Sequence, residues 1–152
     1  MRRQVLALFI LSATAAAAEY GGGDGSAAYP YLITTPADLN DIGNHPEDWD
    51  KHFELTADID LSGYDGLSGP EFKLIGGEFI WNGSSYVGNG FAGVFDGGGP
   101  TISNFTYLSP GTNCVGIFRG IEGGRLTDIE LANPNVLGAD MTGAVAETTV
   151  LA

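Results

Sequence analysis

Gly93-Val94-Phe95-Asp96-Gly97-Gly98-Gly99-Pro100-Thr101-Ile102-Ser103-Asn104-Phe105-Thr106-Tyr107 returns, loosened, as Gly116-Ile117-Phe118-Arg119-Gly120-Ile121-Glu122-Gly123-Gly124-Arg125-Leu126-Thr127-Asp128-Ile129-Glu130-Leu131. The offset is 23 residues at the Gly-aliphatic-Phe end and 24 at the aliphatic end. Self-similarity at such a period signals stacked units, each exposing an apolar face that the next one covers. The pattern therefore predicts an all-β solenoid, with Asn104 and Asp128 at equivalent corners of the two copies.

Outward from the repeat, Phe53-Glu54-Leu55-Thr56-Ala57-Asp58-Ile59-Asp60-Leu61 alternates without a break and reads as one strand, with Phe53, Leu55, Ala57, Ile59 and Leu61 facing the core. Phe72 to Ile75 is a second short strand. Glu78 to Trp81, then Asn82-Gly83, then Tyr86-Val87 forms an inserted hairpin. Val115 to Phe118 is another strand, with Cys114 as a small buried neighbour.

Upstream, Pro30 to Thr34 is a short strand. Thr35, Pro36 and Asp38 supply an N-cap, a first-turn proline and a capping-box acid. The short helix that follows presents Leu39 and Ile42 and ends at Gly43-Asn44, forming an N-terminal cap over 29–53. Residues 19–28, rich in glycine, have little to bury and read as a flexible lead-in.

Residues 1–18 carry an export signal: Arg2 and Arg3, an apolar run from Val5 to Leu11, and Ala16-Ala17-Ala18 before Glu19. That run is far shorter than the ~20 residues a spanning helix needs, so the mature chain is expected to have no membrane span. Cleavage leaves Lys51, Lys73, Arg119 and Arg125 against nineteen carboxylates. Such a chain repels nucleic acid and anionic membrane. Its acidity has two readings, a solvated surface or a demand for calcium. The single Cys114 excludes an internal disulfide. At the other end Thr142 to Ala146 opens what reads as a third copy, so 139–152 is expected to be an incomplete last coil, with self-association through its open edge.

These residues resemble the secreted bacterial proteins built from GLUG-motif repeats. Pro30 to Ile33 with Asp38-Leu39-Asn40, Trp49 to Phe53 and Ala57 to Leu61 are similar to that family's N-terminal segment. Phe91 to Gly99 with Thr101 to Phe105 resembles its next coil, Val115 to Phe118 with Leu126 to Val136 the repeat proper, and Gly143 to Glu147 a degenerate motif. Pro100 departs from the family, which often has histidine there, and Ala146 replaces the last motif's second glycine. The resemblance implies a right-handed parallel β-helix carried on long surface or secreted proteins.

Asp58 and Asp60, two apart on a strand, are expected to share a solvent face. They have three readings: a wet edge, calcium ligands together with Asp65, or the acids of a polysaccharide-cleaving site. Trp81, Tyr86 and Tyr64 could stack on sugar rings or form a satellite apolar cluster. His45, Glu47, Asp48, Asp50 and His52 match no zinc spacing and read as a capping loop with a charged rim. The expected function is a non-enzymatic secreted or cell-surface module that binds a glycan or protein or acts as a spacer. Its alternative is a β-helical polysaccharide lyase or glycoside hydrolase using Asp58 and Asp60. No cofactor other than calcium is implied.

Overall fold

A computed structural model describes residues 20–78, 80–81, 83–84 and 86–139; the expected export signal and nearly all of the expected last coil lie outside them. The described chain is mostly β, with one α-helix. Its strands are β1 (Tyr31–Ile33), β2 (His52–Leu55), β3 (Ile59–Asp60), β4 (Ile80–Trp81), β5 (Tyr86–Val87), β6 (Val94–Asp96), β7 (Thr101–Ser103), β8 (Thr106–Leu108), β9 (Arg125–Thr127), β10 (Glu130–Ala132) and β11 (Asn135–Leu137). The helix α1 spans Pro36–Asn44, and a 3-10 turn follows at Pro46–Asp48.

Three sheets are wholly parallel. The first runs β1-β2-β6-β9, the second β3-β7-β10 and the third β8-β11. Successive passes visit them in the same order. β4 and β5 pair antiparallel, as the hairpin pattern predicts, with Ile80 opposite Val87 and Trp81 opposite Tyr86.

α1 begins as its sequence dictates. Thr35 Oγ1 accepts from the Asp38 N–H at 3.1 Å, and Asp38 Oδ2 accepts from the Thr35 N–H at 2.9 Å, completing the capping box. The helix runs through the predicted stop at Gly43-Asn44, and the His45 N–H closes it on the carbonyls of Asp41 and Ile42.

Two predicted strands are absent as strands. Phe72 to Ile75 lies against α1: the Lys73 N–H is taken by Asn40 Oδ1 at 2.8 Å, so only Ile75 remains to bridge, in parallel, to Phe118. Val115 to Phe118 is likewise reduced to bridging contacts, and Cys114 before it is buried but turned to φ +55°. A left-handed residue breaks a ladder locally.

The expected unbroken strand over 53–61 is also divided. Its alternation of buried and exposed residues survives, but Thr56 to Asp58 forms a corner, with the Thr56 N–H donating to the Ile33 carbonyl. Phe53 and Leu55 belong to the first sheet, Ile59 to the second. The same inward set thus serves two walls.

The repeat period needs a similar correction. Val94 pairs with Arg125, thirty-one residues on, while Thr101 pairs with Glu130 and Thr106 with Asn135, each twenty-nine on. Phe95 and Phe118, aligned in sequence, touch edge to face at 5.2 Å but bridge different strands. Asn104 and Asp128 are consequently not counterparts. The position in line with Asn104 is Asn133, and the one in line with Asp128 is Gly97.

The core holds Ile33, Leu39, Ile42, Phe53, Leu55, Ile59, Leu61, Phe72, Ile75, Phe91, Phe95, Ile102, Phe105 and Phe118. Aromatic rings run through it from Tyr20 and Tyr31 to Phe53, Phe91, Phe118 and Phe95 at centroid spacings of 4.6 to 6.0 Å. A second set runs from Tyr64 through Phe72 and Phe105 to Tyr107. Offset and edge-on contacts of this kind add to the stabilisation from buried area.

Candidate functional site

On the outer face of the first sheet, alternation turns Phe53 and Leu55 inward and leaves His52 and Glu54 of β2 facing out. β6 does the same, with Phe95 inward and Val94 and Asp96 outward. The register sets His52 beside Val94 and Glu54 beside Asp96. A groove of about 350 Å³ crosses this face, lined by these four residues with Ala27, Ala28, Pro30 and part of Phe53.

Its wall is the segment that composition alone reads as a flexible lead-in. The N–H groups of Asp24 and Gly25 donate to the Tyr29 carbonyl, the Gly21 N–H donates to the Leu32 carbonyl and the Leu32 N–H to the Gly22 carbonyl, and the His52 N–H reaches the Gly25 carbonyl at 3.0 Å. Gly25 sits at φ +75°, a conformation that favours glycine, and a Cβ there would come within 2.5 Å of the Tyr31 ring on β1.

Two carboxylates on neighbouring strands, about 4.8 Å apart in backbone, share the groove with one imidazole and no lysine or arginine. Asp96 Oδ1 also accepts from the Gly98 N–H at 3.0 Å. This arrangement accepts hydrogen bonds from hydroxyl or ammonium groups, over a floor with apolar patches at Val94 and Pro30. Sequence reading lists Glu54 as a wet position but misses the groove. The outward pattern of 52–55 and 94–96 is visible in the chain; the register that joins them is not.

The sequence-predicted site residues are dispersed. Asp58 is at the corner after β2, where its Oδ1 accepts from the Thr101 N–H at 2.8 Å. Asp60 ends β3, and its Oδ1 accepts from the Asn104 amide and the Ser62 N–H, both at 2.9 Å. The Asn104 bond first, and the Ser62 bonds next, hold its carboxyl below the ordinary range. Asp65 accepts from Ser68 Oγ at 2.7 Å and from the N–H groups of Leu67, Ser68 and Gly69. The Ser68 hydroxyl and then these N–H groups hold it well below the ordinary carboxyl range.

Each of the three carboxylates is thus engaged with its own surroundings. Among the described residues no group of three or more His, Cys, Asp or Glu side chains is placed to hold a metal ion.

Tyr64 packs edge-on to Phe72 at 6.3 Å and is partly buried against the main core. Trp81 and Tyr86 are register partners in the hairpin; their side chains lie outside the described parts of the structure. In the loop after α1, His45 Nδ1 meets Glu47 Oε1 at 2.9 Å and Lys51 Nζ meets Asp50 Oδ1 at 2.7 Å. Buried Trp49 donates to the Ile42 carbonyl at 2.7 Å, tying this loop to the helix.

The chain is 36% identical over 128 residues to halomucin of Haloquadratum walsbyi, an alignment covering 84% of this chain and 1% of that protein. It is 33% identical over 113 residues to a protein of Evansella cellulosilytica named as a Gly-rich membrane protein, covering 74% of this chain and 12% of that one. The chain therefore spans only a small part of either relative. No family model matches it, and no solved structure matches it. No helix among the described residues is long and apolar enough to cross a membrane.

Proposed function

We propose that this chain is a non-enzymatic, secreted or cell-surface repeat module of the GLUG-motif type, folded as a right-handed parallel β-helix, that binds a glycan or protein across the groove of the first sheet. The groove itself carries the binding part of this reading: an open, hydrogen-bond-accepting channel over a rigid parallel sheet, walled by an ordered segment. Parallel pairing of successive passes in three sheets supports the β-helix. The export pattern at residues 1–18, and a relative whose name places it in a membrane, support the address.

Binding of the full chain to a panel of polysaccharides and to immobilised surface proteins tests it. Binding should be lost when Glu54→Ala and Asp96→Ala are combined and kept in Asp58→Asn. Release of reducing or unsaturated sugar ends that disappears in Asp58→Asn or Asp60→Asn would replace the binding reading with the hydrolytic or lyase one.

A further inference from the structure

We infer that the native fold of this chain is conditional on high ionic strength, with mobile cations from solvent supplying the positive charge that the sequence lacks. The chain has nineteen carboxylates against six lysines and arginines, a formal charge of −13. Among the described residues, the ion pairs made by lysine or arginine are Lys51 with Asp50 at 2.7 Å and Arg119 with Glu78 at 3.2 Å.

The fold then sets two of these like charges side by side. Glu54 and Asp96 are in-register neighbours on the solvent side of a parallel ladder. Adjacent strands lie about 4.8 Å apart, and like charges directly opposite each other destabilise a sheet. At the cap, α1 carries no basic residue in its last turn, where a cation would be favoured. Unfolding moves Glu54 and Asp96, 42 residues apart in the chain, away from each other.

Salt removes that advantage of the unfolded chain. The screening length falls from about 30 Å at 0.01 M to about 10 Å at 0.1 M and about 3 Å at 1 M. In dilute buffer each carboxylate therefore feels its whole face, whereas in molar salt it does not feel even the next strand. Net charge far from zero destabilises a compact state by self-repulsion, and screening relieves it.

Thermal unfolding of the full chain, followed by circular dichroism at neutral pH from 0.02 to 2 M KCl, tests this. The midpoint should rise by at least about 10 °C across the series, with loss of β signal at the dilute end. Glu54→Gln combined with Asp96→Asn should raise the low-salt midpoint and flatten the salt dependence. A flat midpoint overturns the inference, as does an unaltered salt dependence in the double variant. So does an equal rise in sucrose, which is excluded from the protein surface and strengthens burial without screening charge. Full stabilisation by sub-millimolar CaCl2 at fixed ionic strength also overturns it, because a specific divalent site would then replace general screening.

Discussion

The Asn104 side-chain amide donates to Asp60 Oδ1 at 2.9 Å, while the Asn104 backbone N–H donates to the Ala132 carbonyl, also at 2.9 Å. One corner residue thus joins three consecutive passes of the chain, reaching back 44 residues through its side chain and forward through its backbone. It does so at φ +56°, a conformation that asparagine tolerates better than other side-chain-bearing residues.

Asn104→Ala should therefore destabilise more than Asn104→Gly. Both lose the bond to Asp60, but alanine also meets a left-handed backbone, at a cost of about 1 kcal/mol or more. Urea unfolding of the two variants separates these effects, and equal midpoints would mean that the corner conformation is not maintained in solution.

Ile102 is fully buried between Ile59 and Leu131 in the second sheet, whereas Ile129 is only partly buried at its margin. Ile102→Ala should cost about 3 kcal/mol, and Ile102→Asp should abolish soluble expression by leaving a charge unpaired in the core. The matching changes at Ile129 should be milder. Expression yield and denaturation midpoints check the order; equal damage at the two positions would contradict this assignment of faces.

Gly43 lies within α1, where alanine is ordinarily the better helix former by about 1 kcal/mol. Here a Cβ would sit 2.2 Å from the Lys73 carbonyl oxygen, which belongs to a backbone segment already bonded to Asn40. Gly43→Ala should therefore lower stability by about 1 to 3 kcal/mol instead of raising it. A stabilised variant would show that residues 72–75 do not dock on the helix.

Asp65 has its carboxyl well below the ordinary value of 3.8, so its contribution is fully present above that value and is lost as pH falls through the depressed one. The stability difference between the native chain and Asp65→Asn should be constant from neutral pH to about 5 and shrink below about 4. Chemical denaturation across that range measures it. A difference that grows on acidification would mean that the turn at 65–69 does not hold the ionised form.

Much of the local structure was legible in the chain. Thr35, Pro36 and Asp38 specify the start of α1 because capping is chemistry within four residues. The hairpin was legible too, and its strands pair with Ile80 opposite Val87 and Trp81 opposite Tyr86. The alternation from Phe53 to Leu61 names Phe53, Leu55, Ile59 and Leu61 correctly as buried, while Ala57, at the corner, is only half-buried.

What the chain could not reveal was which strand lies beside which. The pairing of Phe53 with Phe95 spans 42 residues because the hairpin and the loops around it intervene, and later passes span 29 to 31. Sequence self-similarity aligned Phe95 with Phe118 instead. Only three-dimensional packing decided that Asn40 would take the Lys73 N–H and leave no strand at 72–75. The same packing brought Glu54 and Asp96 into one groove, and held Asp58, Asp60 and Asp65 apart on their own backbone partners. Local hydrogen bonds and alternation are written residue by residue. Register depends on how much chain each pass consumes before its apolar face is covered, and that is a property of the assembled fold.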